Sequence, residues 1–122
     1  MKILVPGLPP TTNSAFIQRG RFRVLAPKAR QWKEDTKALL EAMDLRAPAG
    51  FLEVSIHFHS PKWICKNGNV RKADCANVEK LLVDCLFEVL GVDDSMIWKM
   101  TLEKVMDKTE WTEIEVKELA GQ

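Results

Sequence analysis

The spacing of apolar residues changes along this chain, and each change predicts a different element. A short apolar run at Lys2–Pro6 predicts a first strand. Pro27 is well placed to begin a helix that Pro48-Ala49-Gly50 would stop. The apolar face of that helix comprises Trp32, Thr36, Leu39, Leu40 and Met43. From Phe51 the period becomes two, which predicts a strand ending at Pro61. Its apolar side comprises Leu52, Val54, Ile56 and Phe58.

Three segments between these elements are predicted to be irregular. Pro6–Ser14 is rich in proline and is expected to form neither a helix nor a central strand. Ala15–Leu25 mixes apolar residues with arginines around Gly20, which predicts an exposed, basic loop or a loose hairpin. Pro61–Val70 predicts a second basic loop, with a turn at Asn67-Gly68.

The clearest element is a helix over Cys75–Leu90, which Gly91 would end. Its apolar stripe is unusually wide and comprises Val78, Leu81, Leu82, Val83, Cys85, Leu86, Phe87, Val89 and Leu90. A stripe of this width predicts contacts on two sides. We expect a sheet on one side, and another helix or a second subunit on the other.

Two more alternating segments, Met96–Met106 and Trp111–Leu119, predict strands that Asp107–Glu110 would join as a hairpin. Trp32, Trp98 and Trp111 follow the apolar periodicity and are predicted to lie in the core. The elements therefore occur in the order β-α-β-α-β-β. This order predicts one α+β domain with a mixed sheet over residues 1–122.

Charge is distributed unevenly along the 122 residues. The net charge is only +1, so bulk charge does not argue for a nucleic-acid partner. Basic side chains nevertheless concentrate in two segments, as Arg19, Arg21 and Arg23, and as Lys62, Lys66, Arg71 and Lys72. They could form a DNA-binding rim, although an ordinary solvated loop surface would show the same charges.

The amino-acid composition also indicates the kind of protein and its cellular compartment. The 46% hydrophobic and 29% charged residues are typical of a folded globular protein. Three cysteines form an odd set with uninformative spacing, so we expect reduced thiols. The sequence shows no apolar run of membrane-spanning length and no signal peptide, which makes the cytoplasm the expected location and a membrane partner unexpected.

Candidate chemistry lies at the two ends of the Cys75–Leu90 helix. Asp74 precedes the helix, Asp93 and Asp94 follow it, and Lys80 lies on its polar side. Taken singly, these residues are better explained as a helix cap, a turn and a solvent-facing lysine. Together they suit phosphodiester hydrolysis, because carboxylates hold hard divalent cations that activate water and neutralise the leaving oxygen.

This block resembles the signature of the RusA-type Holliday-junction resolvases, which reads roughly Asp-x-Asp-Asn-x-x-Lys and then Asp-Asp. Leu8–Asn13 is similar to the proline-proline-x-x-asparagine segment of that family. The resemblance implies a homodimeric endonuclease, often carried by phages or prophages, that uses Mg²⁺ or Mn²⁺ to nick opposed strands of a four-way DNA junction. It implies that Asp74 and Asp94 bind the metal, that Asp93 is an auxiliary acid, that Lys80 faces the phosphate and that Asn13 contacts DNA.

One position departs from the family. Ala76 stands where the family has its second aspartate, and alanine has no ligand atom. Either alanine was introduced to abolish cutting while preserving binding, which the intact surroundings favour, or the natural protein is a weakened relative. A catalytically impaired resolvase is therefore expected. The alternatives are a non-cleaving junction-binding or regulatory protein, and an unrelated α+β interaction module that would not distinguish four-way from linear DNA.

The length of the helix raises a geometric question. Sixteen helical residues span about 24 Å, whereas the ligands of one metal must lie within a few ångströms of each other. Asp74 and Asp94 of one chain can meet only if the chain doubles back or the helix begins late. A two-fold dimer with antiparallel helices could also join them, and the wide apolar surface of the helix favours this composite site.

Two weaker signals remain. His57 and His59 lie on one side of a strand, and Cys65 and Cys75 follow, which could suggest zinc. Structural zinc sites have tighter ligand pairs, so an ordinary strand face is the favoured interpretation. Trp63 lies in the basic loop and is undecided between the core and a wedge at a DNA junction.

Overall fold

The computed structural model describes residues 1–70 and 75–119, without the side chains of residues 12–13 and 75–77. It is an α+β fold, as predicted. The strands are β1 (Lys2–Pro6), β2 (Phe16–Arg19), β3 (Phe22–Leu25), β4 (Leu52–Ser60), β5 (Ile97–Met106) and β6 (Trp111–Glu118). The helices are α1 (Thr12–Ala15), α2 (Pro27–Ala42) and α3 (Cys75–Leu90), and a short 3₁₀ turn covers Asp94–Met96.

The main sheet is mixed and has the order β1-β6-β4-β5, while β2 and β3 form a separate antiparallel hairpin. β4 and β5 are parallel because α3 crosses over between them. The predicted hairpin of β5 and β6 is wrong, since Val54 of β4 pairs with Met100 on one side and with Val116 on the other. Insertion of β6 beside β4 lets it pair on both edges and buries Ile114 and Val116 completely.

The alternation of β4 is confirmed. Its apolar side is fully buried and comprises Leu52, Val54, Ile56 and Phe58. These side chains pack against Leu82 and Leu86 of α3 in the main core. Glu53, His57 and His59 on the opposite side of the strand are only partly buried. The helices therefore cover one face of the sheet.

α3 has the predicted bounds, and its wide stripe is buried within one chain. Leu82 and Leu86 contact the sheet core, whereas Leu81 packs with Ala15 and Ala29 in a second cluster beside α1 and α2. Val83 and Phe87 are also nearly inaccessible, at 5% and 4%. The prediction of a sheet and another helix on the two sides is confirmed. The width of the stripe consequently gives no support to a dimer.

Two boundaries differ from the sequence expectations. Residues 12–14 were expected to be non-helical but belong to α1, where the Thr11 hydroxyl accepts a hydrogen bond from the Ser14 backbone N–H at 3.2 Å. This local cap starts a turn as soon as the prolines end. α2 stops at Ala42, well before Pro48, because Asp44 adopts a positive φ of 50°. The loose hairpin is confirmed as β2 and β3.

The tryptophans are not divided between the core and the surface as the sequence predicted. Trp98 is 61% exposed, so its predicted place in the core is wrong. Leu52 pairs with Ile97 and Glu53 pairs with Lys99, which leaves Trp98 as the extra residue of a β-bulge. Trp63 is only 4% exposed, and its indole N–H donates to the Phe58 carbonyl oxygen at 2.9 Å. A junction wedge at Trp63 is therefore wrong. Trp32 and Trp111 are partly buried.

Candidate functional site

The site begins where α3 ends and the chain reverses. Gly91 has a φ of +69°, which a residue with a side chain rarely adopts. The Gly91 N–H donates to the Glu88 carbonyl at 3.3 Å, and the Val92 N–H donates to the Phe87 carbonyl at 3.3 Å. This is a Schellman motif, which satisfies the last carbonyls of the helix. The reversal sends the following residues back along α3.

Asp93 and Asp94 come directly after the reversal. The Asp93 carboxylate accepts a hydrogen bond from the Ser95 backbone N–H at 2.8 Å, and this bond caps the 3₁₀ turn. The hydrogen bonds from the backbone N–H and from the side chain of Ser95 lower the pKa of Asp93. The carboxylate of Asp93 is thus partly used to hold the turn, and Asp94 is its exposed neighbour.

Asp94 lies beside the middle of α3. It lines a surface cavity of about 320 Å³ whose other walls are Glu79, Lys80, Val83, Ile97, Trp98, Lys99 and Met100. It also lines an adjoining depression with Asp84 and Phe87. The chain therefore doubles back after Gly91, which is one of the two ways in which Asp74 and Asp94 of a single chain could meet. The other way, a late start of the helix, does not occur, because α3 begins at Cys75.

Lys80 is held in place by its own helix. Its ammonium group lies 2.9 Å from the Asp84 carboxylate, one turn later. That hydrogen bond is the main reason why the pKa of Lys80 is raised, and the charges of Asp84, Asp94 and Glu79 act in the same direction. Lys80 consequently presents a permanent positive charge at the edge of the cavity.

Glu79 is a site residue that the sequence motif did not indicate. It is half-buried, and burial is the main cause that raises the pKa of its carboxyl. The negative charges of Asp84 and Asp94 act in the same direction, while Lys80 opposes them. Glu79 lies one position before Lys80 and four before Val83 on α3, so helical spacing from the motif lysine does not point to it.

The predicted site residues are only partly placed. Lys80 and Asp94 meet at the cavity, and Asp93 lies beside them. Asp74 lies outside the described residues, as does the side chain of Ala76. The described acids offer oxygen donors, which suit a hard divalent cation. Among the described side chains, however, no three acidic, histidine or cysteine residues lie close enough to hold one.

Comparison with known proteins identifies the family of this chain. The family model described as Endodeoxyribonuclease RusA matches residues 6–117. The chain belongs to the RusA endodeoxyribonuclease family. None of the curated proteins matches the chain significantly. The RusA match includes Lys80, Asp93 and Asp94, so the cavity lies within the part of the chain that is common to the family.

The basic residues predicted to contact DNA lie on two other segments of this RusA-family chain. Arg19, Arg21 and Arg23 are exposed on the β2–β3 hairpin, and the Arg23 guanidinium lies 4.8 Å from the centre of the Phe16 ring. Lys62 and Lys66 are exposed in the loop after β4. Lys62 shares a cavity of about 290 Å³ with Pro9, Pro10, Thr11, Ser14, Val78 and others. Arg71, Lys72 and the side chain of Asn13 lie outside the described residues.

Both histidines on the outer side of β4 have carboxylate partners. His57 lies 3.2 Å from Glu103, and His59 lies 3.0 Å from Asp107 and stacks on Trp111. These contacts are those of an ordinary strand face, and the side chain of Cys75 lies outside the described residues. Within the part of the chain that the structure describes, no helix is both long and apolar enough to span a membrane.

Proposed function

We propose that this RusA-family protein is a divalent-metal-dependent endonuclease that resolves four-way DNA junctions. The observation that carries the proposal is the meeting of Asp94 and Lys80 at one cavity, although they lie fourteen positions apart in the sequence. The family match supplies the class of reaction, and the cavity supplies a carboxylate and an ammonium group suited to it.

Each residue has a role that follows from its place. We assign metal binding to Asp74 and Asp94, with Mg²⁺ or Mn²⁺ as the ion, because oxygen donors select hard cations. The bound ion would supply Lewis acidity and a more acidic water. Lys80, held by Asp84, binds the scissile phosphate as a fixed positive charge. Asp93 maintains the turn that positions Asp94 and serves as the auxiliary acid.

We further propose that the carboxylates of one site come from one chain. The five-residue step from Cys75 to Lys80 covers only about 8 Å of helix axis. Because Asp94 lines the same cavity as Lys80, the reversal at Gly91 shortens the 24 Å separation that favoured a composite site. A homodimer, which remains part of the proposal, would then present one complete site to each of two opposed strands.

The basic loops are the proposed DNA contacts. Arg19, Arg21 and Arg23 on the hairpin, and Lys62 and Lys66 after β4, are exposed where they can reach phosphates. Arg71, Lys72 and Asn13 complete the set. Cytoplasmic location and a phage or prophage origin belong to the same proposal.

Position 76 provides the decisive experiment. Ala76 comes four residues before Lys80 in α3, so helical spacing puts position 76 one turn earlier on the same side. We expect Ala76→Asp to cut a synthetic four-way junction at least about tenfold faster in Mg²⁺ than the present chain, because it restores a ligand. Ala76→Asn is the matched control with the same shape and no charge. Junction binding should be similar in all three proteins.

Variants of the restored protein test the other roles. Asp94→Asn and Lys80→Met should each slow cutting by roughly 100-fold, because the first removes a metal ligand and the second removes the positive charge that binds the phosphate. Glu118→Gln, on an exposed strand end, is the control. Equal metal-dependent rates for alanine and aspartate at position 76, or equal cutting of linear duplex and junction, would contradict the proposal.

A non-cleaving junction-binding protein is the second candidate function. Ala76 favours it, because the residue removes one family ligand without disturbing the helix. Selective binding of four-way junctions, with no cutting even by Ala76→Asp, would support this candidate over the nuclease.

A further inference from the structure

Trp98 is an exposed aromatic residue on the wall of the cavity that contains Asp94 and Lys80. Its side chain is 61% exposed, although indole is among the side chains most costly to leave in water. The neighbouring Met100 is 37% exposed and lines the same cavity. Trp98 and Met100 therefore form an apolar, accessible part of the cavity wall.

The orientation of Trp98 is set by the backbone and by one ring contact. The β-bulge in β5 takes Trp98 out of the strand pairing, and bulges of this kind re-aim a side chain. The indole stacks on the Phe51 ring, with centroids 3.6 Å apart and an angle of 21° between the planes. One face of the indole is thus covered by Phe51. Its large exposed fraction places the other face toward solvent.

We propose that Trp98 is a stacking platform for a nucleobase of the DNA strand whose phosphate enters this cavity. The inference rests on the proposed function, and it adds a base-binding subsite to the carboxylate site. Every base has a π-face, so an aromatic platform holds DNA without selecting a sequence. A base unstacked at a branch point is the form of DNA that such a platform can take.

The charges around the cavity favour this occupant. Two acidic side chains, Glu79 and Asp94, line the cavity together with Lys80 and Lys99, and the Lys99 ammonium group also lies 3.7 Å from the Glu53 carboxylate. Attraction of phosphates by charge alone is therefore nearly balanced by repulsion at this position. Stacking supplies affinity that does not depend on net charge, whereas phosphate contacts weaken steeply with salt.

A second copy of the chain fits the same surface less well. A stable protein–protein interface buries roughly 800 Å² per partner, and its core is depleted of charged residues. Trp98 and Met100 are instead bordered by Glu79, Lys80, Asp94 and Lys99. A nucleotide, with an apolar base and a charged phosphate, matches both parts of this wall.

The test compares Trp98→Leu with Trp98→Phe, which keeps an aromatic face. The probes are a labelled synthetic four-way junction and the same junction with abasic residues at the crossover, both in metal-free buffer. We expect Trp98→Leu to weaken binding of the intact junction by about tenfold, and Trp98→Phe by less than about threefold. Abasic residues should weaken binding by the wild type, with no further loss in Trp98→Leu.

Salt dependence separates stacking from charge. The ratio of affinities between the unaltered chain and Trp98→Leu should stay constant as salt rises, whereas the loss caused by Lys80→Met should shrink. Thermal unfolding checks that each variant is folded.

Several results would overturn the inference. The inference is wrong if Trp98→Leu binds the intact junction as tightly as the unaltered chain. It is also wrong if Trp98→Leu changes the oligomeric state, measured by light scattering, while the loss of binding does not depend on the bases at the crossover. Equal binding of linear and four-way DNA by the wild type would contradict the junction function, while the comparison with abasic DNA would still decide on Trp98. Both proposals would be overturned if the protein bound neither linear nor four-way DNA.

Discussion

The Cys85 thiol illustrates how one residue's surroundings determine its reactivity. Cys85 is fully buried between α3 and α2, and its thiol donates to the Lys33 carbonyl oxygen at 3.6 Å. Burial is the main cause that raises its pKa to about 11. Cys65, by contrast, is exposed. Only the thiolate is a good nucleophile, so the two cysteines should react very differently.

We therefore expect iodoacetamide at pH 8 to alkylate Cys65 readily and Cys85 hardly at all. About one Cys85 thiol in a thousand would be ionised at that pH. Mass spectrometry of the digested peptides over time measures both rates, and the same reaction in urea is the control. Similar rates for the two cysteines in the folded protein would contradict the burial of Cys85.

Asp107 ties the start of β6 to β4 and gives a pH-dependent contribution to stability. Its carboxylate accepts hydrogen bonds from the Trp111 indole at 2.9 Å and from the Lys108 backbone N–H at 2.6 Å, and it lies 3.0 Å from His59. The Trp111 bond is the main cause that lowers the pKa of Asp107. The folded state thus favours the ionised form.

A lowered carboxyl pKa stabilises the fold above the unfolded pKa, and this contribution is lost as the pH falls through the folded pKa. Asp107→Asn should therefore reduce the free energy of unfolding at pH 7 and have less effect near pH 3. Urea unfolding at the two pH values measures the difference, with Asp44→Asn as an exposed control. An equal effect at both pH values would show that the charge of Asp107 does not contribute.

At the scale of elements, the join between α3 and the Asp94 turn is the structural device on which the site depends. Gly91 has a φ of +69°, and a Cβ placed there would meet no atom within 4 Å. A larger residue would therefore be opposed by backbone strain alone, and not by a steric clash. The join determines whether Asp94 lies beside Lys80.

Gly91→Ala should cost about 1 kcal/mol in the free energy of unfolding, because the left-handed conformation disfavours a Cβ. Gly91→Asn is the matched variant and should cost less, because asparagine tolerates this conformation. In the Ala76→Asp protein, Gly91→Ala should also slow junction cutting more than Gly91→Asn does. Urea unfolding and a junction-cutting assay measure the two effects, and equal values for both variants would exclude strain as the cause.

At the scale of the whole molecule, the question is how many chains build one site. The apolar face of α3 is buried against α1, α2 and the sheet of its own chain, and the reversal brings Asp94 back along the same helix. Both observations favour a site within one chain. The composite site across a dimer makes the opposite prediction for mixed proteins.

In the Ala76→Asp background, we expect a mixture of Asp74→Asn and Asp94→Asn proteins to cut no faster than either alone. Each chain would lack one ligand, and exchange of subunits could not rebuild a complete site. The mixture should be unfolded and refolded together, and a mixture of Asp74→Asn with the unaltered chain is the positive control. Recovered cutting in the first mixture would establish a composite site.

Local patterns in the sequence were sufficient for most elements. The bounds of β1 and α3, the start of α2 at Pro27 and the alternation of β4 all follow from signals within a few residues. Proline, glycine and the period of apolar residues act through backbone geometry that does not depend on distant parts of the chain. The carboxylates, the lysine and the family signature were visible for the same reason.

Pairing and proximity were decided only by the tertiary structure. Insertion of β6 between β1 and β4, exposure of Trp98 by a bulge, and burial of Trp63 depend on partners far away in sequence. The place of Glu79 beside Asp94 depends on the direction of the chain after Gly91. An apolar residue in the sequence shows that burial is favourable, but the element that buries it, or leaves it open, is chosen by the packing of the whole chain.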